Sequence, residues 1–174
     1  MGKGLPRSMS RGAPQRQEVI KQVFVIEDLA LEVTGGASTA AGFGTAVLGD
    51  LPEGNILLLG AVSYLQFSGS GADAALAADW EGDYSIGSTA TADATLSTTD
   101  ADIIPSTALA AATAEVSPRT RGAGATQSII DNTDGSAEIN INLITDDNDV
   151  TDSTAVDLTV SGELHIAYII LGDD

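Results

Sequence analysis

The clearest hydrophobic pattern lies at the end of the chain, where apolar residues recur at every second position. The even positions that carry it are Val156, Leu158, Val160, Leu164, Ile166, Tyr168 and Ile170. A period of two predicts a β-strand, because successive strand residues point to opposite faces. The odd positions are polar from Asp157 to His165, but Ala167, Ile169 and Leu171 are apolar. We therefore expect these three residues to be covered by a second sheet or by another subunit, which makes them candidate partner-binding residues.

Shorter strand patterns precede this one and are separated by turn signals. Residues 19–33 are dense in β-branched and aromatic side chains and predict one or two strands. Residues 43–49 and 55–67 flank the sequence DLPEG at 50–54, in which proline and glycine suit a type I turn. We expect these two segments to form a hairpin.

A second turn signal, NTDG at 132–135, separates two further apolar segments, which we also expect to form a hairpin. In the second of these segments, apolar and polar residues alternate: Ile139, Ile141 and Leu143 against Glu138, Asn140 and Asn142. Strict alternation predicts a strand with one face in the core and one face in water.

The middle of the chain, residues 68–124, is rich in Gly, Ala, Ser and Thr and predicts long loops with short strands. Residues 106–116 favour a helix by alanine propensity, but Pro105 and Pro118 leave an extended excursion open. Several short strands separated by turns indicate an all-β fold. We predict one domain over residues 18–174, an antiparallel β-sandwich of jelly-roll type.

Charge divides the chain into two parts. The 174 residues carry a net charge of −18, yet five of the seven basic residues lie in the first 21 residues beside a single acid, Glu18. Residues 1–17 hold almost no apolar side chain and predict a flexible basic arm, whose candidate partner-binding residues are Lys3, Arg7, Arg11 and Arg16. The acidic remainder would repel nucleic acid and anionic membranes. An acidic protein surface is the expected partner of the arm, and a passive tail is the alternative.

Candidate chemistry is sparse. The chain has no cysteine, and His165 is its one histidine, so a metal pair of two histidines cannot form within a subunit. His165 shares a strand face with Glu163 and Asp157, but no nucleophile motif accompanies it, and we expect an exposed or interface residue. The acidic residues from Asp146 to Asp152 lack calcium-loop spacing and predict a solvated turn, with a weak cation site as the alternative. We predict a soluble, unexported protein that is not an enzyme and needs no cofactor.

Three segments carry a resemblance to a known family: DYSIGSTATADATLSTTDADIIPSTALAAATAEVSPRTRG, IIDNTDGSAEININL and SGELHIAYIILGDD. Over residues 20–174 the chain resembles structural proteins of marine tailed phages that act as capsid decoration (cement) proteins. The resemblance implies a homotrimer made in the host cytoplasm and bound to the major capsid protein on the outer surface of the virion, where it clamps neighbouring capsomers. The alternative class is an adhesion or carbohydrate-binding module of a fibre, with an exposed aromatic platform around Trp80 and Tyr84.

Overall fold

The computed structural model describes residues 18–35, 41–70, 75–124, 128–150 and 155–172. These residues form nine β-strands and one short 3-10 turn at Thr98–Asp100. The strands are β1 Ile20–Thr34, β2 Phe43–Asp50, β3 Gly54–Ser68, β4 Gly82–Gly87, β5 Ile104–Leu109, β6 Thr120–Gly124, β7 Ser128–Asn132, β8 Glu138–Thr145 and β9 Val156–Gly172. The predicted arm, with Lys3, Arg7, Arg11 and Arg16, lies outside the described residues.

The strand order is that of a jelly roll. All ladders are antiparallel. A jelly roll can be described as one long hairpin of the chain that is rolled up. The pairs of such a hairpin are present here: β1–β9, β2–β8, β3–β6 and β4–β5. Rolling that hairpin up adds the pairs β9–β3 and β8–β4. One layer is then β1–β9–β3 with β6 and β7 at its edge, and the other is β2–β8–β4–β5. This arrangement confirms the predicted antiparallel sandwich of jelly-roll type.

The two layers join along one side and approach each other along the other. A short β1–β2 ladder over Glu32–Thr34 and Phe43–Thr45 connects them on the first side. On the opposite side, β6 passes so close to the start of β5 that a Cβ atom on Gly124 would lie 1.8 Å from the carbonyl oxygen of Ile103. Only glycine fits at this approach, and the fold is a nearly closed barrel.

The core lies between the layers and uses the alternation expected of β9. Val156, Leu158, Val160, Leu164, Ile166 and Tyr168 are all buried. Across the core, the Phe67 and Tyr84 rings pack with centroids 5.6 Å apart. The Tyr84 hydroxyl lies 3.0 Å from the Ser63 hydroxyl, and this hydrogen bond connects β4 of one layer to β3 of the other. These two hydroxyl groups therefore satisfy each other in the centre of the sandwich.

Neither predicted hairpin forms, although the chain turns at both predicted places. β2 pairs with β1 and β8, whereas β3 pairs with β9, β6 and β7. Both turns instead carry the chain from one layer to the other. Asn132 ties them together: its Nδ2 donates to the carbonyl oxygens of Leu51 and Pro52, and its Oδ1 accepts from the Ala137 amide. The prediction was wrong because a turn signal does not identify the strands that pair.

The expected wet face of β8 is also wrong, since Asn140 and Asn142 are buried. The segment 88–102 folds over this side of the sheet. Asn142 Oδ1 accepts from the Thr91 amide at 2.9 Å, and its Nδ2 donates to the carbonyl oxygens of Thr89 and Asp100 at 3.1 and 2.8 Å. The Asn142 amide therefore anchors the covering segment, which explains why this polar residue occupies an interior face.

The segment 106–116 is extended and turned, as the alternative interpretation of its sequence allowed, and it does not form a helix. Residues 104–109 form the edge strand β5, and the residues from 110 to 117 continue as turns and isolated bridges. Pro105 is exposed at this edge, where its missing amide hydrogen costs no ladder bond. The prediction of long loops with short strands over residues 68–124 is confirmed for the described part of that range.

Asp102, at the end of the covering segment, makes stability depend on pH. Burial raises the pKa of Asp102, and the neighbouring Asp100 carboxylate adds to the rise, while hydrogen bonds from Ser88 oppose it. Because the folded pKa lies above the unfolded one, the stability that the neutral carboxyl provides is present in acid and lost as pH rises through the folded pKa. Asp102→Asn is expected to flatten this part of the pH dependence of the unfolding free energy, measured by urea titration from mildly acidic to neutral pH. An unchanged slope would contradict the assignment.

Candidate interaction face

The outward side of the β1–β9–β3–β6 layer carries aligned rows of apolar residues. Directly opposite residues of an antiparallel ladder point to the same side of the sheet. The first row contains Val25, Glu163, Tyr64 and Arg121. The second contains Val23, His165, Val62 and Ala123. The third contains Lys21, Ala167 and Gly60, and the fourth contains Ile169, Leu57 and Ile129.

Large side chains in these rows are open to solvent. Val25 is 70% exposed, Ile129 is 62% exposed and Val23 is 53% exposed. Tyr64 and Leu171 are also among the exposed large hydrophobic residues. The surface named the apolar face below consists of Val23, Val25, Leu57, Val62, Tyr64, Ile129, Ala167, Ile169 and Leu171. Contiguous exposed apolar residues of this kind mark interaction surfaces in many proteins.

Two of the three candidate residues of the terminal strand, Ala167 and Ile169, lie in these rows, and Leu171 adjoins them at a bulge between Ile170 and Gly172. Ala167 and Ile169 are half-buried among their strand neighbours, and Leu171 is exposed. No strand of the described chain packs over this side of the layer. Sequence reasoning missed Val23 and Val25, which alternate with Lys21 along β1 and could have been found by the same parity argument.

The basic residues of the described chain gather on the same side. Its Lys and Arg residues are Lys21, Arg119 and Arg121, and all three lie at the apolar face. Glu163 is the one acid in the four rows. One of its oxygens lies 3.9 Å from an Arg119 guanidinium nitrogen, and the other lies 3.2 Å from Nε2 of His165. The face is therefore apolar and basic on a chain that is otherwise strongly acidic.

A shallow groove of about 530 Å³ crosses the face. Its polar lining residues include Lys21, Arg121 and His165. Its apolar lining residues include Val23, Val62 and Ala167. The apolar side chains remove water from a contacting surface, while the basic groups favour acidic partners. The groove fits a protein surface better than it fits a small polar ligand.

His165 and the acidic loop are the residues considered above for a general base and for a cation site. His165 is about half exposed beside Glu163, as expected for a surface or interface histidine. Asp149 Oδ2 accepts a hydrogen bond from the Glu81 amide at 2.7 Å, so this carboxylate stabilises the local backbone. No group of three potential metal ligands occurs among the described residues. Asp152 lies outside them.

The aromatic residues proposed for a sugar platform are in the interior. Trp80 and Tyr84 are fully buried. Trp80 Nε1 donates to the Glu115 carbonyl oxygen at 3.1 Å, which holds the segment before β4 against the segment before β6. These residues organise the core and cannot stack on a ligand at the surface.

No protein-family model matches the chain, and no curated protein is similar to it in sequence. Among solved structures it is similar to a chain of the cyanophage Pam1 capsid asymmetric unit, at 16% identity and a TM-score of 0.38, covering 98% of this chain and 97% of that one. It is also similar to a chain of the infectious bursal disease virus VP2 subviral particle, at 14% identity and a TM-score of 0.37, covering 88% and 33%. The chain thus spans about a third of that protein's length. Helices with the length and hydropathy of a membrane span do not occur in the described ranges.

Proposed function

We propose that this protein is a structural protein of a virion, of the capsid decoration (cement) kind. The observation that carries the proposal is the pairing of a jelly-roll sandwich with one apolar, basic face on an otherwise acidic surface. Such a protein needs no active site. It needs one surface for assembly and a charged, polar exterior that keeps particles dispersed. The resemblance of residues 20–174 to phage decoration proteins agrees with this role.

Decoration stabilises a shell by linkage. A protein that binds the assembled shell but not its dissociated parts adds its binding free energy to the intact particle at every copy. We propose that the protein forms a homotrimer through Ala167, Ile169 and Leu171 and binds the major capsid protein on the outer surface of the head. The one domain of residues 18–174 provides the trimer, and the arm of residues 1–17 provides attachment.

The arm is proposed to attach through charge. Lys3, Arg7, Arg11 and Arg16 are four of the seven basic residues in the chain. Exposed ion pairs contribute about 0 to 1 kcal/mol each, so four of them give a few kcal/mol at low salt. Screening reduces this attraction as ionic strength rises past about 0.15 M.

Retention on purified heads stripped of this protein tests the proposal. A full-length variant with all four arm bases changed to glutamine is expected to lose roughly tenfold or more in affinity at low salt and much less at high salt. Its circular dichroism spectrum and melting temperature should match those of the unchanged protein, because the arm has little apolar area to bury. Heads that fail to bind the unchanged protein would refute the decoration role. Equal retention of both proteins at every salt concentration would leave the arm a passive tail.

A further inference from the structure

We propose that a second copy of this chain docks on the apolar face, and that the contact is head to tail, with an acidic surface of one copy against the apolar face of the next. This inference deepens the proposed function and rests on it only for the number of copies in the closed assembly. It identifies the residues and the polarity of the contact.

The size of the face suits the centre of a protein interface. Four strands at normal spacing span roughly 14 Å, and four rows along them span roughly 20 Å. A patch of roughly 300 Å² lies at the scale of the largest apolar patches of monomers, which are often functional. A stable interface buries about 800 Å² per partner, so surrounding polar and charged groups must also take part.

Charge complementarity identifies the second copy as the occupant. The described residues outside this face hold many carboxylates and no Lys or Arg side chain. The chain therefore presents, on its own remaining surface, the acidic partner that Lys21, Arg119 and Arg121 favour. Glu163, the one acid in the rows, already lies beside Arg119 and His165.

The same charges oppose a two-fold contact. In a two-fold interface the same patch faces itself, so the Lys21 and Arg121 side chains of one copy would face those of the other. Like charges brought together in a desolvated interface are costly. A head-to-tail contact avoids this repulsion, and it closes into a ring when the rotation between copies allows. A trimer is the smallest such ring.

Two matched valine variants test the location of the contact. Val23 lies on the apolar face and is 53% exposed, while Val47 lies on β2 in the other layer and is 47% exposed. Both are exposed strand valines, so aspartate at either place should leave the fold intact. By light scattering after size exclusion, V23D is expected to be monomeric, and V47D is expected to keep the assembly of the unchanged protein. Assembly of V23D, or a monomeric unchanged protein at all concentrations, would overturn the inference.

Carbodiimide coupling tests the polarity, because this reagent joins an amine to a carboxylate only when the two are in contact. Lys21 is the one lysine of the described chain. In a mixture of isotopically heavy and light copies, Lys21 is expected to couple to an Asp or Glu of another copy. Lys21→Arg keeps the charge and should abolish that product. Assembly with Lys21 coupled only within its own chain would overturn the head-to-tail contact.

The two tests separate this inference from the decoration role. Both use the full chain in solution and no shell. A protein that assembles as expected but does not bind stripped heads would leave the inference standing and refute the proposed function. A monomer that binds heads would refute the inference and the proposed homotrimer, and would leave the decoration role standing.

Discussion

Replacing Asn142 by leucine is expected to lower the free energy of unfolding by about 3 to 5 kcal/mol, because each buried polar group left without a partner costs about 1 to 3 kcal/mol. The side chain makes three hydrogen bonds to Thr91, Thr89 and Asp100, and it is fully buried. Leucine would satisfy none of them. The Asp100 carbonyl oxygen would keep the Ser85 hydroxyl as a donor at 2.6 Å, but the Thr91 amide and the Thr89 carbonyl oxygen would lose the Asn142 side chain. For a chain of this size, the change corresponds to a fall in melting temperature of roughly 10 °C.

Asn55→Leu is a suitable control for this substitution. Asn55 is half-buried on β3 and donates one hydrogen bond, to the Gly172 carbonyl oxygen at 3.2 Å. Its replacement should cost less than about 1.5 kcal/mol. Urea titration of both variants gives the comparison. Equal losses of unfolding free energy in the two variants would mean that Asn142 does not hold the covering segment 88–102 in place.

Gly124→Ala is expected to have a comparably large effect, a loss of about 3 kcal/mol or more, because overpacking that moves the backbone is among the most destabilising changes. The added Cβ would lie 1.8 Å from the Ile103 carbonyl oxygen, a backbone atom that cannot move without separating β6 from the start of β5. The closed side of the barrel would open.

Gly60→Ala gives the matched comparison on a neighbouring strand. A Cβ atom there meets nothing within 4 Å. The same substitution should be neutral or stabilise by about 0.4 to 1 kcal/mol, since alanine restricts the unfolded chain. The melting temperatures of the two variants, measured by thermal unfolding, test this difference in stability. A Gly124→Ala protein as stable as the unchanged one would show that the two layers do not meet as described.

Patterns within a single strand could be predicted from the sequence, and pairings between strands could not. The alternation from Val156 to Tyr168 identified the buried face of β9, because burial on one side of a sheet imposes a period of two directly on the residues. The two turn signals did mark turns. They gave no information about the partner strands, because Asn132 and the turn at 50–54 serve crossings between layers whose partners lie far away in sequence.

The polar residues of β8 show a second limit. Asn140 and Asn142 alternate with isoleucine as surface residues would, yet both are buried. The cover of Asn142, the segment 88–102, lies far earlier in the chain, as the separation of 51 between Thr91 and Asn142 illustrates. Periodicity reports that two faces differ in polarity. It does not report whether water or another part of the chain satisfies the polar face.

The candidate face was predicted in part. Ala167, Ile169 and Leu171 stood out because they break the polar pattern of the odd positions of β9. Val23, Val25, Tyr64 and Ile129 belong to the same face only through cross-strand register, which joins four distant parts of the chain. The gathering of Lys21, Arg119 and Arg121 on that face likewise follows from register and not from sequence proximity.

The position of β9 between β1 and β3 has a consequence for synthesis. The first strand of the domain pairs along most of its length with the last, so the central ladder cannot form until the C-terminal strand has left the ribosome. Until then, β1 and β3 each present an unpaired edge, which is a hazard for aggregation. We infer that the domain folds in one cooperative step once β9 is available, slowly for its size, because nearly all of its ladders join distant residues. A chain that stops before Val156 would lack β9, and with it the ladders to both β1 and β3.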